Sequence, residues 1–242
     1  MNPSINQLHL RFSPSSIGGN GFAAWISGKT DVLLEGGAQD GVAKGANGGR
    51  VAIMKGLNHS GMRIDGSVGK SFAYGAQKGI LIVQGNADSR ACIRLSGADV
   101  IFGGEITRPI DNNNGHMGTH ANLKGYACEY MTSGRVCILG DPGPFAFSGM
   151  TGGVVYQKLT PDMGFTLKVL RSRFGKGASV QVLPVDQPDI LAVKMMLKYY
   201  IQALLETDQP DTAEHIKQMR HSEMIKTHFV KIIPSFYNGH KP

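Results

Sequence analysis

The chain has 242 residues, 41% of them hydrophobic and 18% charged, with a formal net charge of +7; this is enough apolar content for one large domain and too little charge for a disordered tail. The basic excess is spread evenly, 14 basic against 10 acidic residues before position 160 and 11 against 8 after it, so no stripe of Lys and Arg marks a nucleic-acid binder. Glycine is the anomaly: 29 of its 33 residues lie between Gly18 and Gly153, without the strict third-position period of collagen.

In chain order, Met1 to Phe12 has no basic stretch leading into an apolar one, and no later segment approaches the roughly 20 apolar residues of a membrane span. A cytoplasmic protein without membrane contact is expected. From Gly28 onward one short unit recurs, a glycine followed by strand-forming residues and a second glycine. The copies open at Gly28, Gly49, Gly79, Gly97, Gly134 and Gly153, spaced by 21, 30, 18, 37 and 19 residues. Such a period is too short for a βαβ crossover and fits one turn of a parallel β-solenoid. Glycine supplies its corners with positive φ and lets stacked backbones approach closely. Asp40-Gly41 and Asn47-Gly48 are hairpin signals for an antiparallel sandwich, but a sandwich does not keep one glycine phase over about six units. The expected fold is all-β, a right-handed, single-stranded parallel β-helix of about six or seven coils over residues 1–183. Gly48, Gly49, Gly79, Gly97, Gly134, Gly152 and Gly153 are its structural coil glycines.

The interval of 37 residues carries an insertion at 105–124, rich in asparagine, whose composition favours a loop. After Pro184 the pattern changes. Ile190, Val193, Leu197, Tyr200, Ile201 and Leu204 recur at helical spacing behind Pro188. Asp211 to Glu214 reads as a capping box for a second helix, and Phe229 to Pro234 as an extended tail. Residues 184–242 are expected to be a small helical cap on the end of the solenoid, whose last coil otherwise exposes an open edge.

Gly45-Ala-Asn-Gly48-Gly49-Arg50-Val51, Gly125-Tyr-Ala-Cys128-Glu129-Tyr130-Met131 and Phe147-Ser-Gly149-Met150-Thr-Gly152-Gly153 stand in this order, ahead of Phe229-Val-Lys-Ile-Ile-Pro234. Together they resemble the C-terminal (GXGXG) domain of the glutamate synthase large subunit, over nearly the whole chain. Related repeats occur in the β-helix subunits of N-methylglutamate synthase and of formylmethanofuran dehydrogenase. The resemblance implies a β-helical spacer that holds catalytic parts in register. It also implies that FMN and the iron–sulfur cluster belong to a partner, with no cofactor in this chain. The expected partners are a glutamine amidotransferase-like subunit and an FMN-binding, glutamate synthase-like subunit, in a hetero-oligomer. The expected role is a non-catalytic scaffold of a glutamate-synthase-like oxidoreductase complex in nitrogen metabolism. The alternative is the β-helix subunit of a formyltransferase/hydrolase or formylmethanofuran-dehydrogenase-like complex, which the match at the tail disfavours.

Candidate sites are few. Cys92, Cys128 and Cys137 form no C-x-x-C pair and read as buried small hydrophobes. His116 and His120 have the i, i+4 spacing of a metal pair. Gly115 and Gly118 weaken a helix there, so the pair reads first as a solvated loop and a partner contact. Glu129 and Tyr130 are further partner-contact candidates. Gly19-Asn-Gly21 imitates a dinucleotide fingerprint but lacks the following helix. No G-x-S-x-G elbow is present, and no catalytic residue is assigned.

Overall fold

The computed structural model describes residues 7–112 and 116–235, with the side chain of His116 outside the description. The first strands are β1 (Leu8–Gly18), β2 (Ser27–Ala38) and β3 (Asn47–Leu57), and β4 (Arg63–Asp65) folds back antiparallel on β3. Then come β5 (Lys78–Val83), β6 (Ser96–Phe102), a four-residue helix α1 (His116–Thr119), β7 (Ser133–Ile138) and β8 (Val154–Lys158). Short helix α2 (Leu167–Ser172) leads to β9 (Val180–Pro184). Three helices follow, α3 (Gln187–Glu206), α4 (Pro210–Met219) and α5 (Ser222–His228), and then β10 (Phe229–Pro234). All ten strands join one sheet, ordered β1-β2-β3-β5-β6-β7-β8-β10-β9, with β4 beside β3. From β1 to β8 neighbours run parallel. β10 pairs antiparallel with both β8 and β9.

This corrects the expected fold class. The chain is a mixed parallel and antiparallel sheet with a helical layer, α/β in character, not an all-β right-handed parallel β-helix with a small cap. The reason is visible along each strand. Val32, Leu34, Val51, Ile53, Leu81, Val83, Val100, Phe102, Val136 and Ile138 face one buried cluster. The residues between them, Leu33, Ala52, Ile82, Ile101 and Cys137, face a second one, completed by Ile190, Val193, Met196, Leu197, Tyr200 and Leu204 of α3. Both faces of the sheet are therefore covered, and its strands read as near-continuous apolar runs such as Ile80-Leu81-Ile82-Val83, as expected for doubly covered parallel strands. A helix bearing this apolar stripe lies across the sheet face, where it removes far more apolar surface from water than an end cap of the same length.

Local chemistry fixes that helical layer. Asp186 caps α3 by accepting from the Asp189 N–H at 3.1 Å, while Asp189 accepts in turn from the Asp186 N–H at 2.9 Å. The Tyr156 hydroxyl of β8 donates to Asp189 at 3.1 Å. At the other end of α3, Glu206 accepts from the guanidinium of Arg50 on β3, which also donates to Asp31 on β2 at 2.8 Å. Burial alone would raise these two carboxyls. Arg50 and Arg11, with His9 hydrogen-bonded to Asp31 and Gln202 to Glu206, together outweigh it and hold both below the ordinary carboxylate range. The capping box expected at Asp211 is absent: α4 begins at Pro210 behind Gln209, with no side-chain cap.

Close stacking explains the glycines at the strand starts. A Cβ on Gly134 (φ +97°) would lie 2.6 Å from the Ala98 carbonyl oxygen of the preceding strand, and one on Gly79 2.9 Å from that of Gly48. Gly19, by contrast, has an ordinary φ and nothing within 4 Å of such a Cβ. Gly134→Ala is therefore expected to cost about 2–3 kcal/mol in urea unfolding, and Gly19→Ala less than about 0.5 kcal/mol. Equal effects would show that close stacking is not what requires glycine.

Candidate functional site

Opposite the helical layer, the segments that enter the strands are five-residue turns with one repeated conformation. In six of them the first, third and fifth residues have φ between +54° and +72°. The triplets are Gly21/Ala23/Trp25, Gly41/Ala43/Gly45, Ser71/Ala73/Gly75, Arg90/Cys92/Arg94, Tyr126/Cys128/Tyr130 and Phe145/Phe147/Gly149. A left-handed backbone costs an L-residue about 1–2 kcal/mol. What offsets it is a reciprocal hydrogen-bond ladder between turns. The middle residue donates backward: Cys92 N–H to Phe72, Cys128 to Ala91 and Phe147 to Ala127, at 2.8–2.9 Å. The outer residues donate forward: Arg90 N–H to Gly125, Arg94 to Glu129, Tyr126 to Pro144 and Tyr130 to Ser148, at 2.8–2.9 Å.

The alternation also sorts side chains. Middle positions point inward and are small or aromatic, with Ala43, Ala73, Cys92, Cys128 and Phe147 buried. Outer positions point to solvent. Trp25 is 69% exposed, Tyr130 51%, Phe145 50% and Tyr126 38%. Tyr126 stacks on Phe145 with centroids 5.2 Å apart and planes at 25°, and the Arg90 guanidinium sits 5.7 Å over Tyr126. Arg90 also approaches Glu129 at 3.9 Å. The Tyr130 ring lies over Gly149, where any Cβ would strike it. Tyr130, singled out from the sequence, thus shares one exposed face with Arg90, Tyr126 and Phe145, which were not, while the Glu129 side chain, also singled out, is only 16% exposed beside Arg90. The missed signal was spacing: Tyr126 and Phe145 are 19 residues apart, as are Tyr130 and Gly149.

The insertion builds a second feature. Residues 105–111 and part of 117–124 wall a half-open cleft of about 760 Å³, whose floor includes Gly85, Gly103, Gly104 and Asn122 and whose rim includes Lys55, Arg108 and His120. The Asn122 amide donates to Asn86 Oδ1 at 2.9 Å and to the Glu105 carbonyl at 3.1 Å, and its oxygen accepts from the Asp141 N–H at 2.9 Å. Beneath it Arg173, 1% exposed, donates Nη2 to Asp141 at 2.7 Å and Nε at 2.9 Å. His116 and His120 fall on and just after α1. The His116 side chain lies outside the described residues, and His120 stands at the cleft rim. Among the described residues, no group of three or more His, Cys, Asp and Glu is gathered as a metal site requires.

The remaining candidates are placed as follows. Gly48, Gly49, Gly79, Gly97, Gly134 and Gly153 line a shallow groove along the strand starts, with Gly152 packed against the Thr132 carbonyl beside it. All three cysteines are buried and unpaired. Cys92 and Cys128 belong to the core on the turn side and Cys137 to the core on the helix side, so the sheet separates them. Burial pushes the Cys137 thiol up to about 12. This donor set does not fit an iron–sulfur cluster. Among the described residues, no helix is long and apolar enough to cross a membrane.

Comparison with known proteins adds ancestry. A family model described as "GXGXG motif" matches residues 2–235. The large chain of the NADPH glutamate synthase of Bacillus subtilis is 28% identical over 231 residues, 95% of this chain and 13% of that protein. Ferredoxin-dependent glutamate synthase 2 of Arabidopsis thaliana, a chloroplastic protein, is 36% identical over 152 residues, 62% of this chain and 8% of its own length. The corresponding spinach enzyme is 34% identical over 151 residues. The chain thus spans only a small fraction of the relatives it matches.

Breaking one half of the buried Arg173–Asp141 pair leaves the other charge stranded. Arg173→Ala is expected to lose about 3–5 kcal/mol in chemical denaturation, and Arg173→Met with Asp141→Asn to recover much of that. A single variant as stable as the parent would show that the pair does not organise the cleft floor.

Proposed function

The chain belongs to the GXGXG-motif family, and on that premise we propose that it is a non-catalytic scaffold of a glutamate-synthase-like assembly. In this reading it holds an amidotransferase-like part and an FMN-binding, synthase-like part in fixed relation, and FMN and any iron–sulfur cluster reside in the latter. What supports the reading is its likeness to segments of glutamate synthase large chains together with a rigid frame that ends in exposed aromatic side chains. Tyr126 and Tyr130 are fixed by N–H bonds to the next turn, Phe145 stacks on Tyr126, and Arg90 and Arg94 stand on the preceding turn. Large aromatics and arginines held rigidly in the free protein lose little entropy on docking, and they dominate the energetics of protein interfaces. The separation of the cysteines across the sheet supports placing the cluster in a partner.

The role assigned to each part follows from this. The turn ladder sets the spacing of the contact residues, and the doubly covered sheet resists deformation. Glu129, held near Arg90 at 3.9 Å, limits the net positive charge of the face, and the aromatics supply the binding energy. His120, at the cleft rim, forms a second contact, and His116 is assigned to the same contact from its place on the insertion alone.

The test is reconstitution with amidotransferase-like and FMN-binding glutamate-synthase-type polypeptides from the same source, read by sedimentation and by glutamine-dependent synthase activity. The paired substitution Tyr130→Ala and Phe145→Ala is expected to weaken assembly by at least about 30-fold and to lower glutamine-dependent turnover in step. Its own unfolding midpoint should move little, because both side chains are half exposed. Wild-type protein that stays monomeric beside these partners would overturn the scaffold reading. A double variant that assembles normally would overturn the assignment of this face.

A further inference from the structure

At two places along the sheet, on either side of the apolar Ile80 of β5, oppositely charged residues stand beside one another in register. His9 on β1 stands beside Asp31 on β2, and Asp31 beside Arg50 on β3; farther along, Asp99 on β6 stands beside Arg135 on β7. Each interior contact is made: Arg50 Nε donates to Asp31 at 2.8 Å, and Arg135 Nε to Asp99 at 2.7 Å. At the sheet's edge β1 presents His9 and Arg11 on this face, and Arg11 also reaches Glu206 at 3.5 Å. His9 Nδ1 and Arg11 Nη2 both lean inward on Asp31, at 3.0 and 3.2 Å, yet their side chains stay 51% and 43% exposed. Asp31 is already shared with Arg50.

The other face of the same strand is unfinished in the same way. Leu10 and Phe12 are in register with Val32 and Leu34, which are 3% and 1% exposed because β1 covers them. Among the described residues no strand pairs with the outer edge of β1, and Leu8, Leu10 and Phe12 stay 44%, 38% and 36% exposed, Phe12 with one side against Phe22. Natural sheets blunt their edges with prolines, bulges and short strands. β9, at the opposite edge, has five residues and ends on Pro184. In β1 the register slips between Phe12 and Ser16, around Pro14, which leaves Leu8–Phe12 regular and open.

We propose that Leu8–Phe12 is a strand-addition site for an extended segment of a partner protein, apolar toward Leu8, Leu10 and Phe12 and acidic opposite His9 and Arg11. Main-chain pairing supplies affinity and the alternating side chains supply selectivity, as in other cases of β-augmentation. Charge decides between occupants. Antiparallel pairing of β1 with a second copy about Leu10 sets each Arg11 against His9 of the other copy and offers it no carboxylate, whereas opposite charges facing each other stabilise a strand pair. An acidic partner segment supplies that carboxylate. This inference does not depend on the scaffold reading, because it concerns a different surface and a different mode of contact.

The probe is a blocked peptide, Val-Glu-Val-Thr-Val-Thr, tested beside its counterpart with lysine in place of glutamate, with binding read by amide hydrogen exchange and by titration on the intact chain. The glutamate peptide is expected to bind about tenfold tighter, the equivalent of one modest ion pair, and to slow exchange within Leu8–Phe12 alone. His9→Ala with Arg11→Ala should abolish the discrimination, and Leu10→Lys should abolish binding of both peptides. Should Leu10→Lys fail to fold, the histidine–arginine variant carries the test. Equal binding of the two peptides, no binding at millimolar concentration, or protection elsewhere would overturn the proposal. So would protection of β1 that rises with protein concentration and no peptide, which assigns the edge to a second copy. Protection that vanishes on removal of residues 236–242 would overturn it too, assigning the edge to the chain's own tail.

Discussion

Everything in this molecule depends on reciprocal backbone hydrogen bonding between successive turns. The four inner turns send N–H groups forward from their outer residues and backward from their middle residue, so none of them is satisfied alone. Those N–H directions require left-handed backbone at alternate positions, which ordinary residues adopt only at a cost. Isolated, a segment such as Tyr126 to Tyr130 would abandon that conformation. Between its neighbours, five inter-turn bonds hold it. The cost is local and the return is collective, which makes the stack cooperative and rigid.

From that constraint the rest follows. A left-handed middle residue points inward, so it must fit a core already filled by the strands. This accounts for the run of Ala43, Ala73, Cys92 and Cys128 and for the widening to Phe147 where α2 and Phe174 supply more room. Outer residues are forced outward whatever their polarity, and so Trp25, Tyr126, Tyr130 and Phe145 stand exposed without unfolding anything. The strands inherit the same vertical spacing, which brings backbone carbonyls against Gly97, Gly134 and Gly152. With one sheet face committed to the turns, the other is closed by α3.

Part of this was legible in the sequence and part was not. The glycine phase is legible because stacked backbones approach closely, as at Gly134, where a Cβ would lie 2.6 Å from the Ala98 carbonyl oxygen. The positive φ of Arg90, Cys92, Tyr126 and Cys128 was hidden, since these are not residues that announce a left-handed backbone. The class was misjudged because the helical stripe of α3 was placed at the end of the stack, although continuous runs such as Val51-Ala52-Ile53-Met54 already called for cover on both faces. Among site residues, Tyr130 falls on an exposed face whose other members are visible only once the turns are stacked. The pairing of Asp141 with Arg173 spans 32 residues without any local signal.

The most direct test of the interlocked stack is native-state hydrogen exchange of the middle-position amides, those of Ala43, Ala73, Cys92, Cys128 and Phe147, as a function of denaturant. If the turns sustain one another, these five amides exchange with a common free energy and a common denaturant dependence equal to those of global unfolding. Turns that open one at a time, each with its own smaller free energy, would contradict the account.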